Sequence, residues 1–355
     1  MTQLDLKAID ALLTSDTEAD LASLRGLVEA CDLADSVFVS PEEARRQVDA
    51  MLTQPLSVDL LEWVLAYNEV GLRDAYLWQW CREAVEITTL SSVLPAHRDH
   101  VCDTKTLGVM FDVLLDDVAD RNGDAELLEE LNLLPFERSR PDFSRLAPDV
   151  QAYADFTARL WQEIQQRARQ YPCYDEYADL LRYDYLQLCN VMRYSLLLNS
   201  RLDLLNLAEH DLYTPHNMHI MICSTFDLMC SPQFDRTELG RLREVIWHAQ
   251  WMGRIGNLIT TWQRELAEGD FTSGIYARAV TCGDLTVAQL REAGRGFIKQ
   301  AIDAGGHERY FLGQWLEHRR HLLQQGRLIR SVDVTELAKG LGKLISLHLA
   351  CRGRK

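Results

Sequence analysis

The sequence predicts an all-α protein. Three observations carry this. Apolar residues recur at helical spacing through most of the chain, and no stretch keeps the two-residue alternation of a strand for long. Helix entry signals precede the periodic segments, as at Ser40-Pro-Glu-Glu43 and Asp235-Arg-Thr-Glu238. Beyond Asp270 the chain has no proline and holds the helical pattern to its end. The 355 residues, 47% of them hydrophobic, suffice for one large core or two ordinary ones. The best linker, around Pro135-Phe-Glu-Arg-Ser-Arg-Pro141, reads as a loop within one domain spanning 1–355. There is no repeat and no low-complexity segment.

Taken in order, two amphipathic patterns cover 4–14 and 17–31. Ser40 then caps a third helix with Pro41 at its first position. Residues 56–85 read as a helical pair rich in Trp63, Tyr67, Tyr76, Trp78 and Trp80. The next segment, 107–115, is apolar nearly all round and marks a buried helix. Asp103 or Thr104 is its expected N-cap, and Arg121-Asn-Gly123 its stop. An acidic, leucine-rich stretch follows at 124–134. Long helices are expected at 148–170 and 174–206, the second dense in tyrosine. Thr214-Pro-His-Asn-Met-His219 opens a short apolar helix that runs to 226–229. An unusually long helix spans 235–269, opened by a capping box of Asp235 and Glu238. Gly253 and Gly256 weaken it and permit close approach by a neighbour. Asp270-Phe-Thr-Ser-Gly274 is a loop beyond its end, close to where a metal is expected, and the last helix closes on 341–349.

Two stretches carry chemistry. The first is Phe111-Asp-Val-Leu-Leu-Asp-Asp-Val-Ala-Asp120. Carboxylates suit the first turn of a helix, where the dipole favours them. Here Asp116, Asp117 and Asp120 crowd the last turn, beside an apolar face, which is unfavourable unless a cation offsets them. Asp116 and Asp120 share one face, one turn apart, and such a pair can hold a hard divalent ion through oxygen. Asp112 lies in the same register a turn deeper, so spacing alone allows either adjacent pair. A buried carboxylate there is costly unless paired, protonated or metal-bound. The second stretch is Arg254-Ile-Gly-Asn-Leu-Ile-Thr-Thr-Trp-Gln-Arg-Glu265. Asn257, Thr261 and Glu265 recur every fourth residue and place amide, hydroxyl and carboxylate oxygens on one stripe. Trp251, Met252, Ile255, Leu258, Ile259 and Trp262 flank it, so the stripe faces something polar inside an apolar setting. Either stretch alone is also what a solvated helix face in an acidic protein looks like.

Together, in this order and at this separation, the DDxxD and NxxxTxxxE patterns resemble class I terpene synthases. The resemblance spans most of the chain. It implies an isoprenoid-synthase helical bundle with a central apolar cavity and the two motifs on facing helices at its mouth. It implies three magnesium ions, Mg2+, gripping a prenyl diphosphate. Asp116, Asp117 and Asp120 match the first motif; Asn257, Thr261 and Glu265 match the second. Asp116 and Glu265 are thereby the residues on which catalysis is expected to depend. One family feature is missing, because no arginine lies between Leu202 and Asp235, where a diphosphate-sensing arginine is usual. Arg193, Arg201 or Arg254 can replace it, or His216 and His219 as hydrogen-bond donors. Arg309-Tyr310 matches in letters a C-terminal Arg-Tyr pair of the family but comes early, and Arg264 beside Glu265 is an equal candidate. Arg254, Arg264, Arg309 and Tyr310 are therefore the expected diphosphate contacts.

The formal net charge of −16 argues against a nucleic-acid partner and against an anionic membrane as a resting surface. An anionic substrate must then be held by metals and a few arginines. Nine cysteines lack CxxC spacing, and Cys81, Cys189 and Cys223 read as reduced core thiols. His97-Arg-Asp-His100, with His210-Asp211, loosely resembles a histidine–aspartate phosphohydrolase, but Pro95 sets the first pair at a helix entry, as a polar connection. No basic-then-apolar leader and no membrane span is visible, and the expected location is cytoplasmic.

The resemblance implies magnesium-dependent ionisation followed by cyclisation and deprotonation of a carbocation. The Gly269-Asp-Phe-Thr-Ser-Gly274 phrase and the long tail resemble bacterial diterpene synthases that take copalyl-type or geranylgeranyl diphosphate. No DxDD motif is present, so a copalyl-type substrate would come from a separate class II cyclase. The competing readings are a sesquiterpene synthase using farnesyl diphosphate and a prenyl-elongating transferase, which normally repeats the aspartate-rich motif. A non-catalytic helical scaffold is the reading outside enzymology, and a homodimer is compatible with all of them.

Overall fold

The computed structural model describes residues 41–136 and 140–351, and every regular element in them is helical. The helices expected at 4–14 and 17–31, and Ser40, lie outside the described residues. Helix α1 (Pro41–Thr53) starts at the expected proline. The expected pair is α2 (Val58–Tyr67) and α3 (Ala75–Ile87). Ser57 and Asp74 cap them by accepting from Leu60 N and Tyr76 N, each worth about 1 kcal/mol.

Helix α4 (Arg98–Asp117) begins more than a turn before Asp103, so neither Asp103 nor Thr104 is its cap. The polar run that imitates a helix entry is an interior turn whose side chains find tertiary partners. Asp103 accepts from Ser57 Oγ at 2.7 Å and from Arg82 Nε at 2.9 Å. Thr104 donates to His100 O, and Tyr171 donates to Thr104. Lys105, fully buried, donates to Thr89 Oγ1 at 2.6 Å, Asp227 Oδ1 at 2.8 Å and Val85 O at 3.2 Å. At its other end α4 widens into one π turn (Val118–Asn122), closed by Gly123 at φ +61°. Such turns re-aim side chains and recur at functional sites.

The chain continues through α5 (Ala125–Leu131), α6 (Pro148–Ala168) and α7 (Tyr174–Ser200), which stops short of 206 at a 3-10 turn, Leu202–Leu204. After α8 (Leu207–Tyr213) a second 3-10 turn, Thr214–Met218, meets α9 (Ile220–Met229) at His219. The long helix is α10 (Leu239–Glu268), entered through a 3-10 turn, Arg236–Glu238. Asp235 caps that turn through Thr237 N, but Glu238 does not complete the box. Its carboxylate accepts from Arg330 N, Ser331 N and Ser331 Oγ instead, tying the start of α10 to a distant loop. The remainder is α11 (Gly274–Cys282), α12 (Val287–Glu292), α13 (Arg295–Gly305), α14 (His307–Gly326) and α15 (Val334–Ala350).

Helix α10 packs against α9, α14 and α15, while α4 packs against α3, α6 and α9. Apolar residues nearly all round both helices explain their central place. A Cβ on Gly253 would stand 2.6 Å from Ile220 Cδ1, and one on Gly256 would stand 2.9 Å from His348 Cδ2. The two glycines thus admit side chains of α9 and α15 against α10. Among the described residues no helix is long and apolar enough to cross a membrane.

Candidate active site

Between α3, α4, α9, α10 and α15 lies a cavity of about 750 Å³. Part of its wall is apolar, with Leu77, Trp80, Val109, Val113, Ile220 and Leu344 among the lining residues. Of the aromatics noted in the sequence, Tyr76 and Trp80 face it, whereas Tyr67 and Trp78 are core. Buried thiols Cys81 and Cys223 also line it.

One end is polar. Steps of four along α4 bring Asp112, Asp116 and Asp120 to the cavity, and steps of four along α10 bring Asn257, Thr261 and Glu265. Depth follows position, since the Asp116 side chain is 23% exposed and that of Asp112 only 5%. Asn217 Nδ2 donates to Asp116 at 2.9 Å and Asn199 Nδ2 to Asp120 at 3.1 Å. Thr261 Oγ1 donates to Asn257 O.

Asp117 does not belong to this lining. Its neighbour Asp116 faces the cavity, and a helix turns about 100° per residue. Asp117 is therefore directed to the α2–α3 connection, where Arg73 Nη2 meets its Oδ1 at 2.6 Å. Arg309 and Tyr310 are not brought to the cavity either. Arg309 lies against Gly306, and the Tyr310 ring packs under Arg278 at 4.2 Å. Arg193 forks onto Glu129, and Arg201 onto Asp203, both exposed. The cavity arginines among the described residues are Arg73, Arg254 and Arg264. Arg254 is 8% exposed with no hydrogen-bond partner for Nε, and Arg264 pairs with Glu268 at 2.6 Å. The two His-containing pairs sit apart from this end: His100 bonds Tyr171, and His210 bonds Asp211.

Arg73 escaped the sequence reading, which also placed the 270–274 loop near this end without singling out Asp270. Arg73 precedes a capped helix in an irregular loop and carries no periodic signal. Asp270 follows the helix stop at Gly269, and its Oδ1 accepts from Thr272 N and Oγ1.

The two stripes line one end of the same cavity, and their carboxyls perturb one another. Enclosure raises Asp120, and Asp116, Asp270 and Glu265 raise it further, against Arg254. Burial and then Asp270 push Glu265 up to about 7, opposed by Thr261, Arg254 and Arg264. Asp112 is also raised, by burial and by Asp116. Carboxyls on facing helices thus repel one another across the cavity with too little positive charge to neutralise them. Glu265 Oε2 and Asp112 Oδ1 have no hydrogen-bond partner. This all-oxygen, electron-rich end fits hard divalent cations such as magnesium. Among the described residues no three His, Cys, Asp or Glu side chains close on a single ion by themselves.

No protein-family model and no curated protein matches the chain. Solved structures do. The chain resembles linalool/nerolidol synthase from Streptomyces clavuligerus, in complex with 2-fluorogeranyl diphosphate, at a TM-score of 0.52 and 15% identity, over 82% of this chain and 94% of that one. It resembles isoprene synthase from grey poplar leaves (Populus x canescens) at a TM-score of 0.58 and 14% identity, over 99% of this chain and 71% of that one. The same poplar protein in complex with three Mg2+ ions and dimethylallyl-S-thiolodiphosphate gives a TM-score of 0.55 at 15% identity, over 96% and 59%. The likeness is one of fold: an all-α, class I terpene synthase-like bundle.

Proposed function

We propose that this chain is a magnesium-dependent class I terpene synthase that ionises a prenyl diphosphate and cyclises the resulting carbocation. The observation that carries the reading is the convergence of two oxygen-bearing helix stripes at the polar end of one cavity whose remaining wall is apolar. Asp116 and Asp120 on one wall, and Asn257, Thr261 and Glu265 on the other, would hold the metal, with substrate oxygens completing each shell. When bound, magnesium supplies positive charge to the diphosphate as the allylic C–O bond breaks. Arg254, Arg264 and Arg73 present guanidinium groups at the same end and are the diphosphate contacts in this reading. The apolar wall folds the chain and keeps water from the cation, and Tyr76 and Trp80 are the aromatic residues of that wall. The volume of about 750 Å³ accommodates a prenyl chain, and the substrate in this reading is copalyl-type or geranylgeranyl diphosphate, with farnesyl diphosphate as the second reading. A copalyl-type substrate would require a separate class II cyclase.

The test is incubation with geranyl, farnesyl, geranylgeranyl and copalyl diphosphates, with magnesium or with excess chelator. Diphosphate release and terpene products are expected with magnesium alone. Full turnover in chelator would sink the reading.

Stability provides an independent check. Glu265 has a folded pKa raised to about 7 from an ordinary value near 4.5. The folded state therefore binds the extra proton between these values, and stability falls as pH rises through this window. Magnesium should reverse the loss, because it binds the folded, ionised site. The expected result in thermal melts is a magnesium-induced rise of a few degrees at pH 8 that shrinks towards pH 5. An equal shift at both pH values would show that the ion binds elsewhere.

A further inference from the structure

We propose that Gly253 sets the depth of the cavity, and with it the length of prenyl chain accepted, by receiving the end of Ile220 in the backbone of α10. The inference rests on the prenyl diphosphate reading above and adds a residue that limits substrate length.

Met218 and Ile220 flank His219 where the Thr214–Met218 turn meets α9, and both line the cavity. Both also reach α10 at one point. A Cβ on Gly253 would stand 3.5 Å from Met218 Cε and 2.6 Å from Ile220 Cδ1. The first distance is an ordinary contact, and the second is far inside the separation at which two carbons attract. Ile220 Cδ1 therefore fills the space that the Cβ of any other residue would take. A methyl group on Gly253 must displace it. The start of α9 cannot step back as a body, because Met221 N donates at 2.8 Å to Oε1 of Gln250, a buried residue of α10. Cδ1 is the free end of its side chain and moves by rotation about χ2. The open space beside it is the cavity that Ile220 already lines.

The position along α10 gives this displacement its meaning. At about 1.5 Å per residue, Gly253 lies about 6 Å before Asn257 and about 18 Å before Glu265 along the axis. The diphosphate would sit at the Asp116, Asp120 and Glu265 end, so Ile220 meets the far part of a prenyl chain and not its head. Gly256 receives His348 in the same way, but it adjoins Asn257. Gly253 is thus the position at which chain length separates from ionisation.

The experiment compares wild type, Gly253→Ala, Ile220→Val and the double variant on the same four diphosphates with magnesium. Inorganic diphosphate, which occupies only the polar end, serves as competitive inhibitor. Alanine is the better helix former, and melts confirm the fold. In Gly253→Ala, kcat/KM for the longest diphosphate that wild type accepts is expected to fall about tenfold or more, since one methylene in an apolar pocket discriminates on that scale. Shorter diphosphates and the inhibition constant of inorganic diphosphate should stay within about twofold of wild type. Ile220→Val removes the carbon that collides, and the next atom of that side chain, Cγ1, stands 3.8 Å from the added Cβ. The double variant should therefore return to within about twofold of Ile220→Val alone. An unchanged rate on the longest substrate overturns the inference. So does an equal loss on every substrate, or weaker inhibition by inorganic diphosphate, either of which makes Gly253 a packing residue only. A double variant as impaired as Gly253→Ala overturns the role of Ile220, and an unfolded Gly253→Ala beside a folded double variant shows that the backbone, not the cavity, absorbs the methyl group. Wild type that releases no diphosphate from any of the four removes the function reading, and this inference with it.

Discussion

Asp116→Ala and Glu265→Gln are each expected to cut magnesium-dependent diphosphate release by about 10²–10³-fold while leaving the helical circular dichroism unchanged. Asp116 is bonded by Asn217 and is partly exposed, so its loss leaves no buried group stranded. Glu265→Gln keeps the shape of the side chain and removes one of the carboxylates that repel each other across the cavity. Neither change should unfold the protein, and both remove charge that a divalent ion needs. Asp120→Ala should weaken the reaction less, because Asp120 stands on the π turn at the helix end. Asp117→Asn should retain far more activity than Asp116→Ala, since Asp117 does not line the cavity and is paired with Arg73. Rates near wild type for folded Asp116→Ala and Glu265→Gln would mean that both stripes are only polar helix faces.

Lys105→Met is expected to produce the largest loss of stability. Lys105 and Asp227 are 0% and 1% exposed and meet at 2.8 Å beneath the cavity wall at Val85. Removing one partner leaves the other charge buried without compensation, a cost of about 3–5 kcal/mol. At roughly 2–4 °C per kcal/mol the melting temperature should fall by about ten degrees. Adding Asp227→Asn should recover much of the loss. The amide keeps an oxygen for Leu90 N, which now donates to Asp227 Oδ2 at 3.0 Å, but carries no charge. A single variant that melts like wild type would show that the pair is not desolvated as the structure places it.

The helical class was legible from the chain alone, because the spacing of apolar residues along a helix is a local property that needs no partner. Spacing also showed which oxygen donors recur at steps of four, so Asp116 with Asp120, and Asn257 with Thr261 and Glu265, were legible as stripes before any fold was known. Helix entries were less legible. The polar run at Asp103, Thr104 and Lys105 looks like a start, yet its partners Arg82, Ser57, Tyr171 and Asp227 come from distant parts of the chain and make it interior. It took the packed fold to show that Asp117 turns to Arg73, that Arg309 and Tyr310 lie off the cavity, and that Arg73 joins it. These placements depend on residues far apart in the chain, on packing that a glycine admits, and on burial that shifts a carboxyl. Periodicity records none of these, because it describes one helix at a time, whereas a cavity is made by the faces that several helices turn towards each other.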